Sequence, residues 1–320
     1  MTIKKDTLGR RDRRLPVSTG KRVGLTDRDL LWLRRLRVHG PLPTSFLLRF
    51  AIGEGDSVKR ARERLTDLFN EAETPHGGPY LTRPPQQFHT LDSRYNQIVY
   101  DLTPAGRKAL QALPDCPPPP SLTGPWLHRF MTSTVVASVR LAVEARPDVR
   151  FITEQAILAR ANASIEATVA LPDPRTRQVR KVTLRPDALF GIEYLTQRGS
   201  RFRFFAVEAD RSTEPLTSAN FNRKSAEKQF ELYRAYIGEG AYKDHLKLTS
   251  PLLVLNVSSD PARTAKLIDL GLTKFGPQSF QLFQSWEDFA PPFRPPDPND
   301  ALLLSPWQRP GHSSMIIAAP

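Results

Sequence analysis

The chain has 320 residues, 39% of them apolar and 30 of them proline, and its 46 lysines and arginines outweigh 33 acids for a net charge of +13. That length holds two ordinary domains of roughly 100 to 150 residues, and the proline content predicts stiff connectors and ends instead of one globule. A single cysteine, Cys116, excludes an internal disulfide framework and a cysteine-based zinc site. No apolar run approaches the roughly 18 residues of a membrane-spanning helix, and the N-terminus lacks the apolar core of a secretory signal. The expectation is a soluble cytoplasmic protein with no membrane insertion.

Residues 1–50 carry 13 basic against 4 acidic side chains, while the remainder is close to balanced. Residues 1–24 lack periodicity and read as a basic flexible arm. Arg10, Arg11, Arg13 and Arg14 are its candidates for nucleic-acid contact, because a guanidinium fork binds phosphate in two places and a basic arm releases condensed counterions. A solubilising tail would have the same composition.

The first helix is predicted over "LTDRDLLWLRRLRVHG", with Thr26 as N-cap, Asp27 and Asp29 at the positive end of the dipole, and Leu30, Leu33, Leu36 and Val38 as its inward stripe. A second begins near Thr44. A third, capped by Asp56 or Ser57, places Val58, Ala61, Leu65 and Leu68 on one face and Lys59, Arg60, Arg62 and Arg64 on the rest, the basic outer face a recognition helix needs. Two strand candidates follow, Tyr80 to Arg83 and Gln97 to Leu102, and Arg83 joins the DNA-contact candidates. Thr103 and Pro104 then open another helix. Three helices, a hairpin and a helix over residues 25–112 resemble the winged helix-turn-helix family, whose exit from wing to last helix is similar to "YDLTPAGRKAL". A helical packing module with basic exposed faces is the competing reading.

Residues 113–125, "LPDCPPPPSLTGP", form a polyproline spacer. Residues 126–290 then change to an α/β pattern of helix, three strands, a long helix over "ANFNRKSAEKQFELYRAYIG" and the buried strand "PLLVLNVSS". Residues 291–320 read as a Pro-rich tail, with Leu302 to Leu304 able to dock on the body.

Acids occupy particular places on this pattern. Asp187 stands at the start of one strand, and Glu208 and Asp210 stand on the next, two residues apart and therefore on the same face. Clustered carboxylates are costly to desolvate unless a cation lies between them, and hard oxygen ligands suit Mg²⁺ or Mn²⁺. Asp187, Glu208 and Asp210 are therefore the candidate metal ligands, for an ion that could assist attack on a phosphodiester. The structural alternative has Asp210 capping a turn with Thr213, and Glu208 pairing with Arg185 or Arg203. His128 could approach the same site, and Tyr233 and Tyr236 read as packing residues.

Pro186–Asp187 and Glu208 resemble the two motif elements of the PD-(D/E)xK nuclease superfamily. Together with the winged-helix pattern, "RPDALF" and the strand end "EADRSTE" resemble the replication-relaxation family, which includes MobC-type plasmid mobilisation proteins. The resemblance spans roughly residues 25–285. It implies a two-domain α+β fold, with an N-terminal winged helix-turn-helix and a C-terminal restriction-endonuclease-like core of order αβββαβ. It also implies catalytic roles for Asp187 and Glu208, with Asp210 assisting.

Asp210 stands where the superfamily carries lysine, and a carboxylate cannot stabilise negative charge as an ammonium does. Some members supply that lysine from the following helix, where Lys224 and Lys228 are candidates on one helical face. Arg211 is always protonated and a poor base. The chain has no His-x-His pair and no P-loop. Two functions follow. One is a Mg²⁺- or Mn²⁺-dependent DNA endonuclease or nickase of a mobile element. The other is a site-specific DNA-binding accessory or transcriptional regulator with a degenerate nuclease core. Double-stranded DNA is the expected partner, with other relaxosome or replication proteins and a second copy of the chain as further candidates.

Overall fold

The computed structural model describes residues 12–53, 55–71, 78–90, 92–173 and 176–320. The chain divides into two compact units, one formed by the residues up to Pro120 with Pro291–Pro298, the other by Ser121–Ala290 with Asn299–Pro320. No helix among the described residues is long and apolar enough to cross a membrane.

In the first unit, helix α1 (Asp27–His39) starts at a reciprocal cap. The Thr26 hydroxyl accepts from the Asp29 amide at 3.3 Å and the Asp29 carboxylate accepts from the Thr26 amide at 2.9 Å. Its buried face is Asp29, Trp32, Leu33, Leu36 and His39, so the expected Leu30 and Val38 give way to Trp32 and His39. Trp32 brings the larger apolar area and anchors itself by donating Nε1–H to the Leu47 carbonyl at 2.6 Å.

Strand β1 (Leu42–Pro43) leads into α2 (Thr44–Ala51), and Ser57 caps α3 (Val58–Asn70). Ala61, Leu65, Leu68 and Phe69 of α3 are buried, whereas Val58, expected inside, is 46% exposed. Strands β2 (Leu81–Thr82) and β3 (Val99–Leu102) precede α4 (Pro104–Gln111), and the sheet order is β1-β3-β2, all antiparallel. Thr103 caps α4, and Gly106 is needed there because a Cβ would stand 2.3 Å from the Tyr80 carbonyl oxygen.

The second unit begins with α5 (Trp126–Glu144), β4 (Val149–Ile152) and α6 (Glu154–Ala161), followed by a hairpin of β5 (Ala167–Pro172) and β6 (Val179–Leu184). Strands β7 (Ala188–Thr196) and β8 (Gly199–Asp210), helices α7 (Ala226–Gly238) and α8 (Ala241–Leu246), strand β9 (Leu252–Ser258), helix α9 (Pro261–Phe275) and strand β10 (Gln281–Ser285) come next. The order in the main sheet is β10-β9-β8-β7-β4 over these elements, with β8, β9 and β10 parallel and β4, β7 and β8 antiparallel. Every residue of β9 is buried, as expected of a parallel strand covered on both faces. Phe190 of β7 stacks on Phe205 of β8 at 5.1 Å and on Phe151 of β4 at 5.3 Å, tying the antiparallel part together.

Two sequence expectations meet a different structure here. The long helix expected from Ala219 begins only at Ala226, because Ser225 caps it by accepting from the Lys228 amide; Lys224 therefore lies before the helix and not on one helical face with Lys228. The segment read as a Pro-rich tail is also ordered into elements. Helix α10 (Ala301–Leu304) and strands β11 (Trp307–Arg309) and β12 (His312–Met315) extend the sheet beyond β10 in the order β12-β11-β10. Trp307 is fully buried and donates to the Leu302 carbonyl at 2.9 Å, and the Tyr194 hydroxyl donates to the Ile317 carbonyl at 2.6 Å. These few apolar anchors outweigh the weak strand propensity of a segment rich in Ser and Pro.

Candidate active-site cleft

Asp187 sits one residue before β7, and its position is fixed from β8. Its amide donates to the Val207 carbonyl at 3.0 Å, and its Oδ2 accepts from the Ala209 amide at 2.8 Å. These two bonds straddle Glu208, so the chain itself brings Asp187 and Glu208 together. Strand alternation sends Glu208 and Asp210 to one face while Ala209 is buried on the other.

A cleft of about 280 Å³ opens on that face, lined by Asp187, Glu208 and Asp210 together with His128, Arg185, Arg211, Lys224, Gln229, Asn256 and Arg263. His128, from the first turn of α5, puts Nε2 2.8 Å from Asp187 Oδ1. That bond holds the imidazole pKa above its ordinary value, overcoming the opposite effect of burial. Glu208 Oε1 accepts from Gln229 Nε2 at 2.9 Å and from the Tyr233 hydroxyl. Burial, and then the negative charge of Asp187, hold the Glu208 carboxyl well above the usual carboxylate range, while Tyr233 and Gln229 pull it partly back. Burial and the Glu208 charge in turn hold the Tyr233 phenol high. Asn256 pairs with Glu208 in the β8–β9 register and is oriented by Gln281 at 2.7 Å.

The second acid of the pair has a different partner. Asp210 Oδ2 lies 2.8 Å from Arg263 Nε at the start of α9, its Oδ1 accepts from the Ser212 amide at 2.6 Å, and Arg263 also donates to the Glu214 carbonyl. Among the described residues no three His, Cys, Asp or Glu side chains are grouped so as to hold a metal ion. Of the two candidate lysines, Lys224 lines the cleft. Lys228 lies outside it, with its ammonium 4.2 Å from the Phe221 ring centroid and bonded to the Phe221 carbonyl; burial lowers its pKa. Tyr236 is bonded to His245 at 2.7 Å, away from the cleft.

Gln229, Asn256 and Arg263 were not singled out by sequence reasoning. Gln229 could have been found as the residue one helical turn before Tyr233 on the face toward β8, whereas no local signal marks Arg263, whose partner is 53 residues away.

In the first unit, Lys59, Arg60 and Arg62 are exposed on α3. Arg64 is committed to the fully buried Asp29 at 2.7 Å and to the Gly24 carbonyl. Arg83 is buried, lies 3.9 Å from the Phe69 ring centroid and bonds the Arg13 carbonyl and the Tyr100 hydroxyl. Arg13 bonds the Arg94 and Asn96 carbonyls, and Arg14 pairs with Asp12 at 3.2 Å. Arg10 and Arg11 lie outside the described residues.

The molecule is thus a mixed α+β protein of two units with a cleft built on converging carboxylates. The family model described as replication-relaxation matches residues 33–252. The chain belongs to the replication-relaxation family, which suggests a role in plasmid replication or mobilisation and replication-related partners. No curated protein and no solved structure matches the chain.

Proposed function

We propose that the protein binds double-stranded DNA in the cytoplasm through a winged helix-turn-helix in the first unit, and acts on it through a PD-(D/E)xK-like core in the second. On this reading α1 to α3, the β2–β3 hairpin and α4 are the winged helix, and α3 presents Lys59, Arg60 and Arg62 to the groove. The nuclease-like core is α5, β4, β7, β8, α7 and β9, whose mixed sheet order supports it. The observation that carries the proposal is the convergence of Asp187 and Glu208 in one cleft with Lys224 at its wall.

The donor set fits a divalent cation. Magnesium is ordinarily held by one or two carboxylates with water and substrate phosphate completing its shell. Glu208 Oε2 has no hydrogen-bond partner among the described residues, and burial, with the charge of Asp187, holds the Glu208 carboxyl high, an opposition to ionisation that a bound cation would relieve. Asp187 and Glu208 would hold the Mg²⁺ or Mn²⁺, and Asp210, tied to Arg263, would not be a direct ligand. A bound ion of this kind supplies a water of lowered pKa and stabilises charge on the phosphoryl oxygens. His128 holds Asp187 in place and carries a proton at Nε2; Lys224 supplies the fixed ammonium that balances phosphate charge; Gln229 and Tyr233 orient Glu208.

Incubation of supercoiled plasmid with Mg²⁺ or Mn²⁺ tests this. Nicking or linearisation by the parent, abolished in both Asp187→Ala and Glu208→Ala, supports hydrolysis; DNA binding with no cleavage in either metal refutes it. The second reading, a DNA-binding accessory with a degenerate core that serves as scaffold or as contact to a second copy, is favoured by the Asp210–Arg263 pair, which occupies the position of the superfamily's lysine.

A further inference from the structure

The β5–β6 hairpin leaves β6 three residues before Asp187, and Arg185, just after β6, lines the cleft. Its register divides its two faces: Ala167 opposite Leu184 and Val169 opposite Val182 face the core, while Thr168 opposite Thr183 and Ala170 opposite Lys181 face outward. The hairpin's two described acids are both neutralised within it, Glu166 by Arg185 and Asp173 by Arg180 at 3.1 Å. Arg177, Lys181 and, on the loop before α7, Arg223 are exposed and have no acidic partner among the described residues. Phe221 joins the two segments, with the Arg180 guanidinium 5.4 Å and the Lys228 ammonium 4.2 Å from its ring centroid. Lys224, next to Arg223 in the chain, is already in the cleft wall. Arg180 and Phe221 thus link the core-side face of the ribbon to the segment that carries Arg223 and Lys224, while Lys181 stands on the ribbon's outward face.

We propose that this ribbon, with Arg177 and Lys181, and the adjoining loop, with Arg223, form a second DNA contact, which seats the phosphate backbone alongside the cleft. The inference rests on the DNA-binding reading above and adds to it the surface by which the second unit holds the duplex. Charge complementarity specifies the occupant: three exposed cations with no acidic partner among the described residues favour a polyanion, and Arg223 adjoins Lys224 of the cleft wall. The outward face of small and β-branched residues lets a sugar-phosphate backbone approach closely, and the cations contact phosphate without reading bases.

The test uses the full chain and a fluorescent duplex, with affinity measured over a salt series. The variants are Lys181→Gln/Arg223→Gln, the triple with Arg177→Gln, and Lys59→Ala/Arg62→Ala on α3. All change exposed side chains outside the proposed catalytic set. Each lost phosphate contact lowers the slope of log affinity against log salt by about 0.9, so the triple is expected to lower it by roughly 2 to 3 and to weaken binding at about 0.1 M salt by roughly tenfold or more. The double should fall between parent and triple. Unchanged affinity and slope in the triple, with the α3 variant weakened, would overturn the second contact and leave the winged-helix reading standing. Weakening in the triple alone supports the ribbon and removes the role of α3. A parent chain that binds no duplex overturns both.

Discussion

Replacing Asp187 with asparagine should destabilise the second unit at pH 6 and cease to do so near pH 9. Asparagine keeps an oxygen to accept from the Ala209 amide, so the change removes chiefly the charge that His128 and Glu208 feel. His128 is raised above its ordinary 6.5 by its hydrogen bond to the Asp187 carboxylate and, to a lesser degree, by that charge. A raised histidine contributes stability that is fully present below the unfolded pKa and lost as pH rises through the folded one. A hydrogen bond to a charged group is worth about 1.5 to 3 kcal/mol. The His128 side chain is 25% exposed, so solvent screening reduces the expected loss at pH 6 to about 1 to 2 kcal/mol. At high pH the imidazole is neutral, while the Asp187 charge still opposes ionisation of Glu208. There the substitution should be neutral or stabilising. A chain of two units need not unfold in one transition, so the assay is hydrogen exchange by mass spectrometry on peptides of α5 and β8, in EDTA, at both pH values. Equal loss of protection at pH 6 and pH 9, or a His128 that titrates at or below its ordinary value by NMR, would refute the reasoning.

Three further outcomes are expected. Arg263→Met leaves Asp210 half-buried with only the Ser212 amide as partner, and should cost about 2 to 4 kcal/mol by the rule for a broken pair; Arg263→Met/Asp210→Asn should recover most of it in the same exchange measurement. Arg64→Ala strands the fully buried Asp29 and should lower the melting temperature of the first unit by an amount matching about 3 to 5 kcal/mol, followed by circular dichroism. If the substitution instead left stability intact and weakened DNA binding, the assignment of Arg64 to neutralising Asp29 would be wrong. Gly106→Ala forces a Cβ against the Tyr80 carbonyl and should cost about 1 to 3 kcal/mol, with exchange increased in β2 and β3 before other strands.

Much of this architecture can be read from local sequence, and the limits are physical. The helix starts at Thr26, Ser57 and Thr103 are legible because a cap is decided within four residues, but the same signal at Thr153, which caps α6, goes unread. Strand alternation shows from sequence only that Glu208 and Asp210 share a face; the association of Asp187 with Glu208 comes from the resemblance of Pro186–Asp187 and Glu208 to the nuclease motif. Arg64 and Arg83 look like basic surface in the sequence because composition cannot show a partner 35 or 17 residues away that engages a guanidinium. Lys224 and Lys228 were separated by Ser225, whose capping geometry is invisible in a run of helix-tolerant residues. The last 20 residues illustrate the opposite limit, for their strands owe their place to Trp307 and Tyr194, a packing that no periodicity records.

The two acids at the end of β8 are therefore not equivalent, although alternation places them on one face. Glu208 is bonded to α7 through Gln229 and Tyr233, and Asp210 is bonded to α9 through Arg263. One strand end thus gathers the helices that flank the central strand β9. The guanidinium neutralises Asp210, so on the proposed metal-binding reading a cation in the cleft would be left with Asp187 and Glu208. Positive charge still reaches the site, from His128 on α5, from Arg263 on α9 and from Lys224 ahead of α7, all on elements other than β8. A lysine at position 210 would have supplied the same charge from the strand itself, but could not have paired with Arg263. On the proposed nuclease-like reading, the acid at position 210 and the α9 contact go together. Asp210→Lys alone should accordingly destabilise the chain, because it sets two cations together, and only the paired change Asp210→Lys/Arg263→Glu tests whether the strand-borne lysine is compatible with this cleft.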